Sequence, residues 1–269
     1  MSMPLISIVT PSFNSRKYIL ETVHSVIRQS YPNFEYFIMD GGSTDGTGDL
    51  LRSFGGKIKW VSERDAGQSD AINKGFLRVR GDIVSWINSN DYYLPGAFEI
   101  VGRYFMDHPE VDFVFGKAIL ISQSGESLGD YDCTGSAEEL LAANHVRRGH
   151  FEKLLNLQAG WIPQPTAFWR TSLMKKAGLL DVGLHYAMDY EYWLRLGRIG
   201  NIHFINSYLG AYREHDDSKS TNARRQWQEV LRINWKYGGR FLSGVQKRFF
   251  QVCLEAIQRR VAKIKKKPI

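Results

Sequence analysis

Short apolar runs rich in β-branched residues alternate with segments of helical spacing in the first part of the chain. Residues 5–10 predict a buried strand ended by Pro11. An amphipathic helix is predicted to begin at the capping residues Asn14 and Ser15 and to end before Tyr31 and Pro32, with apolar residues at helical spacing between them. The alternation continues with strands expected at residues 36–39, 58–62 and 82–88, and with helices near residues 47–54 and 69–79. Because parallel neighbouring strands need a crossover connection, this pattern predicts an α/β fold with a mostly parallel sheet flanked by helices.

The pattern is less regular after residue 95. Pro95 predicts the first turn of a helix, and residues 112–122 predict one or two strands. Further elements are expected as helices near residues 137–144 and from residue 189, short strands at 202–204 and 209–213, and C-terminal amphipathic helices near 222–237 and 241–264. Since no internal repeat occurs, we expect one large domain made of two joined halves, followed by a helical extension.

The composition indicates a folded, nearly neutral body with a basic tail. With 269 residues and 43% hydrophobic residues, the chain can bury a full core. The formal net charge of +7 is concentrated at the C-terminus, in Arg259, Arg260, Lys263, Lys265, Lys266 and Lys267. A basic surface of the kind that follows a nucleic acid is therefore not predicted, and we expect no nucleic-acid partner.

Cysteine use and hydropathy indicate a cytoplasmic protein. Cys133 and Cys253 lie far apart and in neither a CxxC nor a zinc-ligand spacing, so neither a disulfide framework nor a structural metal is predicted. The sequence contains no apolar stretch of about 18 residues and no charged region followed by a long apolar run at its N-terminus. We therefore expect neither a signal peptide nor a membrane span.

The C-terminal basic helix has two interpretations. Apolar residues recur on one side of residues 241–264, and basic residues lie elsewhere on the same segment. Such a helix either packs on the sheet or lies on an anionic membrane in a peripheral contact. Packing is the interpretation that we favour, because apolar helix stripes usually face a core.

The loops after the predicted strands are the candidate chemical sites. Ligands of open α/β sheets bind beyond the carboxyl ends of the strands, which are the loops after residues 10, 39, 62 and 88. Asp91 lies in the last of these loops, where a carboxylate could hold Mg²⁺ or Mn²⁺ against phosphates. The alternative is that Asp91 only caps the turn before Pro95.

The glycine-rich loop from Asp40 to Gly46 has two interpretations as well. A strand-to-helix turn of small polar residues can bind a nucleotide or can be a tight turn only. It differs from GxGxxG, and the sequence contains no GxxxxGK[ST]. Interpretations as a dehydrogenase, a nucleotidyltransferase or a P-loop enzyme therefore lose their main support.

Acidic residues open the helix that begins near residue 189. Asp189 and Glu191 would be favoured there by the helix dipole whether or not they act in catalysis. A general base also has to be an ionised carboxylate on a rigid element, and a helix start can provide one. Arg213 and His215 follow a predicted strand, where both could contact phosphates.

Taken together and in order, these segments resemble the family 2 inverting glycosyltransferases of GT-A fold. The agreement extends over roughly residues 5–220 and depends on the combination rather than on any single motif. The matching segments are IVTPSFN at 8–14, MDGGSTDGT at 39–47, SERDAG at 62–67, DAINKG at 70–75, NSND at 88–91, PQPT at 163–166, FWR at 168–170, MDYEYWLR at 188–195 and YREH at 212–215.

The resemblance implies an enzyme that moves a sugar from a nucleotide diphosphate donor, with a UDP-sugar favoured, to a hydroxyl of a carbohydrate or lipid-linked acceptor. Residues 1–115 would hold the nucleotide sugar, residues 116–220 the acceptor, and residues 221–269 would form the extension with the basic tail. The resemblance also assigns individual roles. Asp189 is implied as the catalytic base, Asp91 and His215 as the ligands of Mn²⁺ or Mg²⁺, and the remaining donor-site residues as Pro11, Phe13, Asn14, Asp40, Gly41, Asp65, Asn73, Lys74, Asn90 and Arg213.

This sequence departs from the family pattern in two places. Many relatives carry paired aspartates where this chain has Asp40 and Gly41, so one carboxylate that contacts the base is missing. Asn88 and Asn90 replace acidic residues beside Asp91, so the ion would be held largely through phosphate oxygens and water. A nucleotide-sugar-binding subunit with weak or no catalysis therefore remains the alternative.

Overall fold

The computed structural model describes residues 3–131, 162–215 and 223–237. The strands are β1 (Ile6–Ser12), β2 (Phe34–Asp40), β3 (Lys59–Ser62), β4 (Ile83–Trp86), β5 (Tyr92–Tyr93), β6 (Phe113–Ile121), β7 (Ser127–Asp130), β8 (Phe168–Arg170) and β9 (Ile202–Arg213). The helices are α1 (Ile19–Ile27), α2 (Thr47–Arg52), α3 (Gln68–Phe76), α4 (Ala97–Asp107), α5 (Thr171–Ala177), α6 (Met188–Ile199) and α7 (Ala223–Lys236). Short 3-10 turns occur at Gly55–Lys57 and Gln164–Thr166.

All nine strands of the described residues belong to one sheet, in the order β3-β2-β1-β4-β8-β6-β9-β5, with β7 paired to β6. β1 to β4 pair in parallel, as predicted, and β6 pairs with β9 in parallel. β8 is antiparallel to both of its neighbours, and β5 is antiparallel to β9. The sheet is therefore mixed beyond β4. Antiparallel pairs need no crossover helix, so alternation of strands and helices carries no information about them.

The two faces of the sheet carry separate apolar layers. In β1, Ile6 and Ile8 face a layer with α1 and α4, whereas Val9 faces a layer with α3 and α6. This is the alternation expected of a strand that is covered on both sides. β6 crosses the expected boundary at residue 115, so the two expected halves share one sheet.

Aromatic side chains fix α6 against the centre of the sheet. Trp193 of α6 stacks on Trp86 of β4 with 5.1 Å between ring centroids, and Trp86 lies 5.5 Å from Trp169 of β8. All three rings are buried. Buried aromatic pairs contribute about 0.5–1.5 kcal/mol beyond the burial of their area, so this cluster gives α6 a defined position.

Three predicted boundaries differ from the structure. β1 continues through Pro11 to Ser12, because its pairing with β4 ends at Val9 and the missing N–H of Pro11 has no sheet bond to make there. α1 begins at Ile19 rather than after Asn14, since residues 14–18 form a loop. The two short strands expected near residues 202–213 are one strand, β9, which contains register shifts where it pairs with β6.

The C-terminal predictions have a mixed outcome. The helix expected near residues 222–237 is present as α7. The helices expected near 137–144 and 241–264, and with them the proposed membrane contact, lie outside the described residues. Within the ranges that the structure describes, no helix has the length and apolar character needed to cross a membrane.

Candidate active site

Asp40 closes the loop at the carboxyl end of β2. Its carboxylate, 2% exposed, accepts hydrogen bonds from Ser43 N at 3.0 Å, Ser43 Oγ at 2.5 Å and Ser62 Oγ at 2.6 Å. Ser62 is the last residue of β3, so Asp40 joins two neighbouring loops of the edge. The carboxylate that was expected beside the nucleoside thus accepts hydrogen bonds from its own loop and from the end of β3.

Asp65 lies directly against Gly41. An ideal Cβ at residue 41 would stand 2.5 Å from Oδ2 of Asp65, which is closer than a side chain can approach without displacing it. Oδ1 of Asp65 accepts a hydrogen bond from Gly67 N at 2.9 Å. A half-buried carboxylate therefore occupies the place next to residue 41, although residue 41 itself has no side chain.

The end of β1 presents an aromatic ring next to this loop. Pro11 is buried in the strand, whereas Phe13 is 64% exposed. Asn14 adopts φ 49°, a conformation that asparagine tolerates better than most residues, and its Oδ1 accepts a hydrogen bond from Thr44 N at 2.9 Å. Asn14 thereby holds the β1 loop to the β2 loop, with Phe13 beside them.

Asp91 is the buried carboxylate at the end of β4. It is 0% exposed, and its two oxygens accept hydrogen bonds from Arg213 N at 2.9 Å and from Asn88 Nδ2 at 3.1 Å. Its backbone oxygen accepts the Thr22 hydroxyl at 2.7 Å. Burial raises the pKa of Asp91 to about 7, against the opposing effects of the Arg213 backbone N–H, the Asn88 amide and the Arg213 charge.

Arg213 supports this loop from inside the protein. Its side chain is 1% exposed and forms an ion pair with Glu21. Its Nε donates to Asn90 O at 2.9 Å, and its Nη1 lies 3.3 Å and 3.2 Å from the carbonyl oxygens of Ser122 and Gln123. These protein acceptors surround the guanidinium, and its expected contact with the diphosphate stays a prediction.

Asn90 and His215 form the half-buried side of the same loop. Asn90 Nδ2 lies 3.1 Å from His215 Nε2, and the His215 ring lies 5.5 Å from the ring of Tyr18. His215 follows β9, and β9 reaches this place because it pairs with β5 directly after Asp91. The pairing thus brings together both residues that the sequence suggested as metal ligands.

The donor set at this point fits an open divalent site rather than a closed cage. Among residues 3–131, 162–215 and 223–237, no group of three or more His, Cys, Asp or Glu side chains could hold a metal ion. Asp91 and His215 would contribute two protein ligands, with the Asn90 amide next to them. Mg²⁺ and its analogues are commonly held by one or two side chains together with substrate phosphates and water, so a set of this size would form an open site, and metal binding here stays a prediction.

Helix α3 connects the β4 loop to α6. Gln68 Nε2 donates to Asn88 Oδ1 at 2.7 Å, and Asn88 in turn contacts Asp91. The next residue, Ser69, contacts Met188 Sδ at 2.9 Å and Leu184 O at 3.2 Å with its hydroxyl. The first turn of α3 thus contacts both the Asp91 loop and the beginning of the helix that carries Asp189.

Asn73 and Lys74, which the resemblance assigned to the donor site, have partners within the protein. Both ends of the Asn73 amide bond to the backbone of Leu180, at 2.9 Å each. Lys74 Nζ lies 3.1 Å from a Glu63 oxygen and 2.9 Å from Arg64 O. Asn73 therefore fixes the segment before α6, and Lys74 is neutralised on the outer side of α3.

The two acidic residues at the start of α6 lie in different environments. Glu191 is 1% exposed and forms an ion pair with Arg195 at 2.8 Å and a hydrogen bond with the Tyr237 hydroxyl at 2.5 Å. Asp189 is half-buried and accepts a hydrogen bond from Tyr190 N at 2.8 Å. Glu191 is thus part of the core, whereas Asp189 is partly accessible.

Comparison with known proteins places this arrangement in a family. Residues 7–158, more than half of the chain, match the family described as Glycosyl transferase family 2. The chain belongs to glycosyl transferase family 2. A putative teichuronic acid biosynthesis glycosyltransferase of Bacillus subtilis, TuaG, is 36% identical over 248 residues, covering 86% of this chain and 90% of that protein. An uncharacterized glycosyltransferase of Rickettsia typhi is 30% identical, covering 84% and 69%.

Solved structures confirm the predicted GT-A fold of this glycosyltransferase. Residues 1–349 of S. aureus TarS in complex with UDP-GlcNAc match with a TM-score of 0.67 and 18% identity, covering 96% of this chain and 72% of that one. The mannosyltransferase PcManGT from Pyrobaculum calidifontis, in complex with GDP-Man and Mn²⁺, matches with a TM-score of 0.63 and 17% identity, covering 88% and 64%.

Several residues of the site were not suggested by the sequence. Gln68 and Thr22 contact the Asp91 loop from helices that precede it in the chain, and Glu21 pairs with Arg213, which holds that loop. Polar residues near a helix start are common and carry no signal of a distant partner. These contacts arise only when α1 and α3 pack beside the end of β4.

Proposed function

We propose that this glycosyltransferase transfers a sugar from a UDP-sugar to a hydroxyl group of a carbohydrate or lipid-linked acceptor, with inversion at the anomeric carbon. The observation that carries the proposal is the contact of α3 with both the Asp91 loop and the start of α6. This contact supports a donor site and a general base on the same edge of the sheet. Residues 1–115 would bind the donor, and residues 116–220 would complete the acceptor side.

Asp189 is the proposed general base. It is a partly accessible carboxylate at the start of a helix that is fixed by buried aromatic rings. The base takes the proton of the acceptor hydroxyl as the oxygen attacks the anomeric carbon, and the bond from that carbon to the diphosphate breaks. One displacement of this kind inverts the configuration of the sugar.

We propose that Asp91 and His215 hold a divalent cation, Mn²⁺ or Mg²⁺, together with the donor phosphates. The ion would neutralise the charge that develops on the leaving diphosphate. Asn90, which lies 3.1 Å from His215, would orient the imidazole. Arg213 would act behind them, since its backbone N–H holds Asp91 and its side chain holds the carbonyl of Asn90.

The nucleoside would bind between Phe13 and the loop of Asp40. An exposed ring at the end of β1 suits stacking on a base, and Asp65 beside Gly41 can accept a hydrogen bond from the imide N–H of uracil. The structure of TarS with UDP-GlcNAc supports a uridine donor in a protein of the same fold. The name of the Bacillus subtilis relative supports a role in surface polysaccharide or glycoconjugate synthesis.

A second candidate function is a nucleotide-sugar-binding subunit without turnover. It is favoured by the asparagines at positions 88 and 90 and by the hydrogen bonds that both oxygens of Asp91 make inside the protein. Both functions predict binding of a nucleotide sugar. Only the transferase predicts release of the sugar.

Two measurements test the proposal. Thermal unfolding is followed with UDP-GlcNAc and with GDP-mannose, each with and without Mn²⁺, since a ligand that binds only the native form raises its stability. We expect the larger rise in Tm with UDP-GlcNAc and Mn²⁺ together.

Slow hydrolysis of the bound donor is then followed by NMR, and inversion predicts that the β-anomer of the sugar appears first. No Tm change with either donor contradicts the proposal, and binding without sugar release supports the second candidate.

A further inference from the structure

The carboxylate of Glu229 binds the segment that immediately precedes α6. Its oxygens accept hydrogen bonds from three consecutive backbone N–H groups, those of His185 at 3.0 Å, Tyr186 at 2.8 Å and Ala187 at 2.9 Å. Ala187 is the N-cap residue of α6, and Asp189 is two residues further along the chain. One side chain thus fixes the backbone at the point where the helix of the proposed base begins.

A carboxylate suits this place for two reasons. The amide groups at a helix start have no partners within the helix, and the helix dipole favours a negative charge there. No side chain of the segment itself makes a capping hydrogen bond to the start of α6. Glu229 of α7, a different helix, instead binds the N-cap amide and the two amides before it, so it also determines where α6 begins relative to α7.

Helix α7 is itself held firmly, so Glu229 has a defined position. Trp227, Val230 and Ile233 are buried in the apolar layer that contains α6. Asn234 accepts a hydrogen bond from the Tyr190 hydroxyl at 2.7 Å, and the Tyr237 hydroxyl donates to Glu191. Contacts before and after Glu229 therefore attach α7 to the first turns of α6.

We propose that Glu229 is a positioning residue for Asp189, and this inference rests on the proposed function. A proton acceptor must reach the attacking hydroxyl within hydrogen-bond distance, and a displacement of about 1 Å can reduce the rate by about a hundredfold. Without Glu229, the backbone of residues 185–187 loses its common hydrogen-bond acceptor. The first turn of α6, which carries Asp189, then loses this contact with α7. The effect is on turnover, since Glu229 contacts no residue assigned to the donor.

The test is a double-mutant cycle between Glu229→Ala and Asp189→Asn. Release of UDP from UDP-GlcNAc, or of GDP from GDP-mannose if that donor is the one hydrolysed, is measured for both single variants and the double variant. We expect Glu229→Ala to lower kcat about tenfold while the donor Kd changes less than twofold. In the Asp189→Asn background, the same change should lower the residual rate less than twofold, because the two residues act through one step.

Further variants distinguish positioning from general destabilisation. Glu229→Gln keeps the size and one acceptor oxygen, so we expect it to retain an intermediate kcat, and it serves also if Glu229→Ala does not fold. Tyr237→Phe is the matched control, because it removes another contact between α7 and α6 and should lower Tm with less than a twofold effect on kcat.

Several results would overturn the inference. A normal kcat in Glu229→Ala, or an equal fold-loss with and without Asp189, removes Glu229 from the positioning of the base. A normal kcat in Asp189→Asn instead refutes the proposed base itself. The two failures are therefore seen in different variants.

Discussion

The two parts of the sheet bring their polar residues together in different ways. At the ends of β1 to β3, the loops bond to partners close in the chain or to the neighbouring parallel strand, as Asp40 does with Ser43 and Ser62. At the end of β4, the partners come from afar, since Asp91 and Arg213 lie 122 positions apart and Asn90 and His215 lie 125 apart. The loops after β1 to β3, where we propose that the nucleotide binds, are thus held by local contacts. The side that carries the proposed metal ligands and base is held by contacts between distant parts of the chain.

Two buried carboxylates show the consequence of this difference. Asp40 accepts three hydrogen bonds from hydroxyl and amide groups of its own loops. Asp91 accepts two, one of them from a strand of the other part of the sheet, and burial raises its pKa to about 7. Asp91 thus has fewer hydrogen-bond donors than Asp40, and one of its two donors comes from a strand that is distant in the chain.

The largest effect that we expect comes from the packing of α3, which joins the two parts. An ideal Cβ at Gly75 would lie 2.3 Å from Cγ1 of Val9, so Gly75→Ala must push α3 away from β1. Overpacking of this kind typically costs 1–3 kcal/mol, and we expect a loss of about 3 kcal/mol here together with weaker donor binding. Denaturant unfolding measures the first effect and calorimetry with UDP-GlcNAc the second.

Gly48→Ala is the matched control for this prediction. Gly48 is also a helical glycine, in α2, but an ideal Cβ there meets nothing closer than 3.9 Å. Alanine in a helix is more stable than glycine by about 0.5–1 kcal/mol, so this variant should be slightly stabilised. Equal effects of the two substitutions would contradict the role assigned to the contact between α3 and β1.

A smaller effect is expected when the charge of Asp91 is removed but its contact with the backbone of Arg213 is kept. Asp91→Asn should weaken Mn²⁺-dependent binding of the donor at least about tenfold, because a neutral amide is a poorer ligand for a hard cation. The measurement is a titration of UDP-GlcNAc at several Mn²⁺ concentrations. Asp45→Asn, at a carboxylate that accepts a hydrogen bond from Thr47 in the β2 loop, provides the comparison. An unchanged Mn²⁺ response in Asp91→Asn would remove Asp91 from the metal site.

The last of these predictions is the dependence of stability on pH without metal. Asp91 stays protonated up to about pH 7 in the folded protein, whereas an unfolded aspartate loses its proton near pH 4. The native state therefore binds more protons between these values, and this group makes the free energy of unfolding fall as pH rises from about 4 to 7. We expect Tm to decrease as the pH rises through this range.

The comparison for this prediction is the same experiment on Asp91→Asn. The variant has no titrating carboxyl at this position, so its Tm should fall less between pH 5 and pH 7 than that of the wild type. A wild-type Tm that falls no more than that of the variant would show that Asp91 is already ionised in the folded protein.

The part of the fold built from local patterns was predictable from the sequence. β2, β3, α3 and β4 follow apolar spacing closely, and the turn chemistry of residues 40–46 and 88–91 identified the loops at the carboxyl edge. The resemblance to the family added the GT-A fold, which the solved structures confirm. Apolar spacing and turn residues describe neighbours in the chain, and the family resemblance describes motifs in a known order.

The remaining features depend on pairings that no local pattern encodes. β8 inserts antiparallel between β4 and β6, and β5 pairs with β9. The structural contacts of Arg213 and Asn73 follow from this arrangement, since each residue bonds to backbone groups that are distant in the chain. A polar residue in a motif segment predicts that the residue has a hydrogen-bonding partner. Only the fold decides whether that partner is a ligand or another part of the protein.

The most direct test of the central claim is the effect of Asp189→Asn on catalysis and binding in the same preparation. The account predicts that kcat for donor hydrolysis falls about a hundredfold or more, with the Kd of the donor and the Tm nearly unchanged, because the base acts on the proton and not on the nucleotide. Asp107→Asn, at the exposed C-terminal end of α4, should change neither. A near-normal kcat in Asp189→Asn would contradict the claim that this carboxylate and the Asp91 loop serve one reaction.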